Sequence, residues 1–229
     1  MTDQLTGSSS PLTRARRVAA RRLTAAWAAP VFHLTVQVDT SALTAAKQSV
    51  PGATVTDVLI CAVTRALRAH PDLNAHYGDE TVTTFSQVNL GIAVATSKGL
   101  VVPVLHGVES LDLPAVSQAR KRIVDRAREG QLRLADMRGG TFTVSNLGMA
   151  GIDRFDAILN PPEVAILAVG RTSHQKLYND GDPVWRPVAD LTLTCDHRAV
   201  DGAMGAAFLA TLRTAIESWE PAAPLESAS

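Results

Sequence analysis

The chain has 229 residues, 46% of them apolar and 19% charged, enough for one large domain with a real core. Its 22 basic and 22 acidic residues cancel, so no long-range field favours nucleic acid or an anionic membrane surface. Apolar runs such as the one within Glu163–Gly170 are far shorter than the roughly 18 residues a membrane span needs, and the polar N-terminus has no apolar signal core.

In chain order, residues 1–11 read as a flexible tail, 12–220 as one domain and 221–229 as a second tail of Ser, Pro and Ala. Leu12–Ala28, rich in Arg and Ala, predicts a helix. Val31–Val38 predicts a strand. Thr54–Ala69 carries Val55, Val58, Leu59, Ala62, Val63, Ala66 and Leu67 at helical spacing. Thr54 and Asp57 form a capping-box pattern ahead of it, and Pro71 ends it. Val88–Thr96 and Leu100–Leu105 predict strands joined by a turn at Ser97-Lys98-Gly99. Pro114–Arg128 predicts a helix with proline in its first turn and Gly130 beyond its end. Thr141–Ser145, Val164–Val169 and Asp190–Thr194 predict further strands, Asn179-Asp180-Gly181-Asp182 a turn, and Asp201–Ser218 a last helix. Strands and helices mix without strict βαβ alternation. The fold class expected is therefore α+β, a two-layer sandwich with one large mixed sheet under packed helices.

Two stretches can carry chemistry. In Leu193-Thr194-Cys195-Asp196-His197-Arg198-Ala199-Val200-Asp201-Gly202 a strand runs through a turn into a helix. A histidine at such a strand end can face a cleft while its backbone is held, and an imidazole of ordinary pKa about 6.5 is largely neutral near pH 7, as a general base must be. The same position also suits a histidine that only holds a loop. Asp201 opens the following helix, where a carboxylate complements the positive helix end. In Gly139-Gly140-Thr141-Phe142-Thr143-Val144-Ser145-Asn146-Leu147-Gly148, Ser145 can donate to a developing oxyanion. Alternatively, Ser145 and Asn146 bond only their own turn. Cys195 precedes His197 by two residues and could share its strand face as a nucleophile, but a buried thiol is the preferred reading. Cys61 and Cys195 are expected to be reduced thiols in a cytoplasmic protein. His33, His70, His76, His106 and His174 show no ligand spacing, so no catalytic metal is expected.

These stretches, with others in register, resemble the catalytic domain of the dihydrolipoyl acyltransferases of 2-oxo acid dehydrogenase complexes and, more distantly, chloramphenicol acetyltransferase. The resemblance rests on His197 to Gly202 as a His-x-x-x-Asp-Gly signature and on Gly139–Asn146. It extends to Asn160–Leu167, Pro71–Ala75, Gly99–Val104 and Arg16–Leu23. It covers about Leu12 to Ser218, which makes 12–220 an acyltransferase catalytic domain.

The resemblance implies transfer of an acyl group, here acetyl, from acyl-CoA without an acyl-enzyme. His197 would be the base and Ser145 the oxyanion donor. Asp201 would pair with an arginine, with Arg14, Arg16, Arg17, Arg21 and Arg22 as candidates, and hold the loop behind His197. Ser145, Asn146 and, more weakly, Gly170 would contact coenzyme A. The family is built on trimers, so a homotrimer with sites between subunits is implied, His197 of one chain facing Ser145 of its neighbour.

Two departures shape the acceptor expected. The usual family member carries a lipoyl domain before its catalytic domain, whereas this chain reaches the catalytic domain within about a dozen residues, and no lipoyl group of its own is expected. Residues 220–229 hold one leucine among small and polar residues, which predicts a trimer that does not build a cube or dodecahedron. A stand-alone enzyme is therefore expected, acylating a small-molecule hydroxyl such as a tetronate in natural-product biosynthesis. The alternatives are the dihydrolipoyl acyltransferase core of a dehydrogenase complex, and a non-catalytic scaffold.

Overall fold

The computed structural model describes residues 7–179 and 182–219. The tail expected at 221–229 lies outside the described residues, as do residues 1–6 of the tail expected at 1–11.

Helix α1 (Arg14–Ala26) leads into strand β1 (Val31–Asp39). Helix α2 (Ser41–Ser49) and helix α3 (Val55–Ala69) follow, then a short hairpin of β2 (Ala75–Gly78) and β3 (Thr81–Thr84). Strands β4 (Leu90–Ile92), β5 (Val94–Thr96), β6 (Gly99–Val101) and β7 (Val104–Leu105) precede helix α4 (Leu113–Glu129). Strands β8 (Phe142–Asn146), β9 (Ala165–Val169), β10 (Ser173–Asn179) and β11 (Asp182–Asp196) and helix α5 (Gly202–Glu217) complete the domain.

The main sheet has seven strands in the order β1-β11-β9-β8-β4-β7, with β10 also paired to β11. β4, β8 and β9 run parallel, and β1, β7, β10 and β11 pair antiparallel. It is the mixed sheet of an α+β two-layer sandwich. One face meets the helices. Val58, Val63 and Leu67 of α3 and Phe208, Leu212 and Ile216 of α5 share one core with Phe142, Leu167, Leu191 and Leu193 of the sheet. Each such fully buried side chain contributes roughly 1.5–3 kcal/mol of hydrophobic stabilisation. α5 comes close at Gly205, where a Cβ would lie 2.8 Å from Leu34 Cδ1. The other face is more polar: His33 bonds Thr194 at 2.9 Å and Thr35 bonds Thr192 at 3.0 Å across β1 and β11.

The helix ends obey their local chemistry. Thr54 and Asp57 form the expected capping box, and Gly130 ends α4 in the left-handed conformation at φ 71°. The predicted strand Val88–Thr96 divides at Ala93, whose N–H turns to the Val144 carbonyl. Leu100–Leu105 divides because Pro103 has no N–H to give a ladder. The turn at Ser97-Lys98-Gly99 joins β5 to β6, pairing Thr96 with Gly99. β11 runs well upstream of Asp190, while Asp180 and Gly181 of the predicted turn before it lie outside the described residues.

Candidate active site

β11 ends at Asp196, and His197 is the first residue of the turn that follows. The turn is closed by the N–H groups of Ala199 and Val200, which both donate to the Asp196 carbonyl at 3.0 Å. His197 is exposed, but its backbone is fixed: its N–H donates to the Pro30 carbonyl at 2.9 Å. The Phe32 ring lies against the imidazole, with centroids 4.7 Å apart and planes tilted by 53°. Phe32 is delivered by the register of β1, where it sits opposite Cys195. The result is an open imidazole on a held backbone, the arrangement a general base needs.

Asp201 is the N-cap of α5, its Oδ1 accepting the Met204 N–H at 2.9 Å. The helix-opening reading of Asp201 therefore describes its contacts within one chain. Among the described residues no ion pair joins Asp201 to Arg16, Arg17, Arg21 or Arg22, and the side chain of Arg14, the fifth candidate, lies outside them. Those four arginines point to solvent. Cys195 is fully buried 3.7 Å from where a Cβ on Gly205 would stand, and burial pushes its thiol up to about 12. It is a core thiol and not a nucleophile.

Ser145 and Asn146 close β8, half-buried. The Ser145 hydroxyl makes no hydrogen bond to the described residues of its own chain, whereas Asn146 spends its Oδ1 on the Gly148 N–H at 2.9 Å. Its Nδ2 approaches Thr56 Oγ1 at 3.4 Å, linking the turn to the start of α3. So Asn146 does bond its own turn, and Ser145 does not. Gly170 is held by packing within its own chain. It is buried, its N–H donates to the Asp190 carbonyl at 2.9 Å, and a Cβ would lie 1.8 Å from the Asp153 carbonyl oxygen. That crowding gives it a packing role: the turn after Asn146 rests on it, a Cβ on Gly148 falling 2.7 Å from the Gly170 oxygen.

One chain does not bring Ser145 and His197 together. Ser145 is level with Ala168 on β9, and Ala168 with Thr192 on β11, five residues short of His197. With about 3.3 Å per residue and about 4.8 Å per strand, the two lie roughly 17 Å apart along the strands and about 10 Å across them. They stand at opposite ends of the sheet.

Sequence reasoning missed the residues that support the site. Phe32, Tyr77 and Thr56 come from remote segments, and no local pattern marks them. Tyr77 carries the Arg198 guanidinium 4.1 Å above its ring centroid. Arg198 in turn donates from Nε and Nη2 to the buried Asp196 carboxylate at 2.9 and 2.6 Å. A second buried carboxyl, Glu163, accepts from Thr143 Oγ1 at 2.5 Å and from Asn160 Nδ2 at 2.9 Å, and burial pushes it up to about 7. Among the described residues, no helix is long and apolar enough to cross a membrane.

The chain is 39% identical over 223 residues to the dihydrolipoyllysine-residue acetyltransferase component of the acetoin cleaving system of Bacillus subtilis, covering 93% of this chain and 56% of that one. It spans about half the length of the curated relatives it matches. The structure of a probable dihydrolipoamide acetyltransferase from Listeria monocytogenes superposes with a TM-score of 0.90 at 28% identity, covering 95% of this chain and 98% of that one. That of the Azotobacter vinelandii dihydrolipoamide acetyltransferase superposes with a TM-score of 0.88 at 28% identity, covering 93% and 92%. It was solved to investigate a serine, a histidine and an asparagine in the catalytic mechanism, the histidine 52 positions after the serine and the asparagine four further on. Chloramphenicol acetyltransferase, at 14% identity and a TM-score of 0.58, shares the fold alone. The model of the 2-oxoacid dehydrogenases acyltransferase catalytic domain matches residues 5–223, so the sandwich, the strand-end histidine and the Ser-Asn turn are those of a chain that belongs to this family.

Proposed function

We propose that this chain is an acetyltransferase exchanging an acetyl group between coenzyme A and a dihydrolipoyl thiol, with His197 as general base. The observation that carries the reading is the spacing of its polar residues on this fold. Ser145 and His197 are separated by the same 52 positions as the serine and histidine of the Azotobacter enzyme, and Asp201 stands where that enzyme has its asparagine. The expected tetronate-like hydroxyl acceptor gains nothing from the relatives, which are named for a dihydrolipoyl acceptor, so the dihydrolipoyl alternative becomes the main reading.

The chemistry follows from the groups present. The neutral His197 imidazole takes the proton of the attacking thiol, and the thiolate adds to the thioester carbonyl, forming the new C–S bond. The Ser145 hydroxyl donates to the tetrahedral oxyanion, an interaction typically worth about 10²–10³ in rate. Collapse breaks the old C–S bond, and the departing thiolate recovers the proton from the imidazolium. Because one chain holds the two groups at opposite sheet ends, the reading requires a site shared between copies, in a homotrimer. The Asn146 amide, whose second N–H is uncommitted, then borders the thiol end of coenzyme A.

The test is acetyl transfer from acetyl-CoA to dihydrolipoamide, run beside small alcohols. Thiol transfer is expected, with His197→Ala and Ser145→Ala each nearly inactive and mixed trimers of the two regaining part of the activity. Transfer to alcohols alone, or no rescue in verified mixed trimers, overturns the acceptor and the shared site respectively. The scaffold alternative predicts no transfer to any acceptor. The expected trimer that builds no larger particle rested on residues 220–229, which lie outside the described residues.

A further inference from the structure

The turn that carries His197 is held from the side opposite Phe32 by a layered contact between remote segments. β2 is tied to the segment before β9: Tyr77 N–H donates to the Pro162 carbonyl at 2.9 Å, and Val164 N–H to the Ala75 carbonyl at 3.1 Å. That segment is tied to β11, since Asp196 N–H donates to the Val164 carbonyl at 2.9 Å. The Tyr77 ring is therefore referenced by backbone hydrogen bonds to the end of the catalytic strand. The Arg198 guanidinium fills the gap, its Cζ 4.1 Å from the Tyr77 ring centroid and its Nε and Nη2 on the two oxygens of Asp196. Arg198 N–H also donates to Asp196 Oδ1 at 3.0 Å. A planar guanidinium suits both demands at once, a fork for the carboxylate and a flat face for the ring. His197 lies between Asp196 and Arg198 in the chain, so this stack brackets its backbone.

We propose that Tyr77 is a positioning residue for His197, acting through Arg198 and Asp196 to hold the imidazole against Phe32. Its effect on catalysis rests on His197 being the base; its effect on the imidazole does not. The experiment therefore reads both. The His197 ring protons, assigned by loss of their signal in His197→Gln, sense the Phe32 ring current at 4.7 Å. Tyr77→Leu keeps apolar bulk and removes the π face. It is expected to shift or broaden the His197 signals and to lower kcat about 10- to 100-fold, with KM for acetyl-CoA unchanged within about twofold. Tyr77→Phe, which keeps the ring, restores both. Arg198→Lys keeps the charge but loses the fork and the flat stack, and gives the Tyr77→Leu result if the stack acts as one device. Unmoved His197 signals in Tyr77→Leu overturn the proposal whatever the activity. Shifted signals in an enzyme that His197→Gln leaves fully active would uphold the positioning and remove the base.

Discussion

The two ends of the sheet hold their functional groups by different means. At the β11 end, His197 is steadied by side chains: Phe32 on one side, the Asp196–Arg198–Tyr77 stack on the other. At the β8 end, Ser145 is steadied by backbone pressed on backbone, Gly148 on Gly170 and Gly170 on Asp153. On the proposed reading, a base that must take up and release a proton sits in an exposed turn whose supports are replaceable side chains. On the same reading, a hydroxyl that only donates to an oxyanion can sit in a frame with no room to adjust. The first kind of support should fail gradually on substitution, the second abruptly.

The largest effect expected is therefore at Gly170. A Cβ there would lie 1.8 Å from the Asp153 carbonyl oxygen, backbone against backbone, so no side chain can swing away. Overpacking of this kind costs about 3 kcal/mol or more, and Gly170→Ala should show it as a lowered denaturant midpoint. A Gly170→Ala protein as stable as the parent would erase the contrast between the two ends.

The next effect tests the interior between the two ends. Glu163 is buried on the segment that links β2 to β11, and its carboxyl sits at about 7 because burial disfavours its charge. A carboxyl raised on folding binds its proton more tightly in the folded chain than in the unfolded one. Its contribution to stability is present below the unfolded value of 4.5 and is lost as pH rises through about 7. Between pH 5 and pH 8 the loss should be about 2–3 kcal/mol. Glu163→Gln keeps the acceptor and stays neutral, so its stability should change less over that range, as urea unfolding at the two pH values would show. An identical pH slope in the two proteins would mean that Glu163 does not titrate as its burial requires.

The sequence made the site's chemistry legible and its supports invisible. α3 could be read because periodic apolar residues follow a capping box at Thr54, and α4 because Pro114 and Gly130 bracket it. His197 and Ser145 could be read because short motifs carry them. α2 was missed because Ser41–Ser49 is small and polar, and β10 with the first half of β11 because those strands are largely solvent-facing and interrupted by Pro183 and Pro187. Phe32 and Tyr77 could not be found, because their meeting with His197 and Arg198 is fixed by strand register across more than a hundred residues of chain. The packing role of Gly170 could not be read, because the Asp153 and Asp190 carbonyls that crowd it come from separate segments.

The smallest effect expected decides what Asp201 contributes. Its Oδ1 caps α5 at 2.9 Å from the Met204 N–H, in the first turn after the catalytic loop. Losing such a cap costs about 1 kcal/mol, and asparagine caps as well as aspartate. Asp201→Ala should therefore lose about 1 kcal/mol in urea unfolding, while Asp201→Asn keeps parental stability within about 0.5 kcal/mol. An arginine reached across a subunit boundary would change this pattern, because Asn retains the cap but gives up the charge. Parental activity in Asp201→Asn would make the cap sufficient. Lost activity at unchanged stability would assign the carboxylate a charged partner in the neighbouring copy, and the loop behind His197 would then be held from outside its own chain.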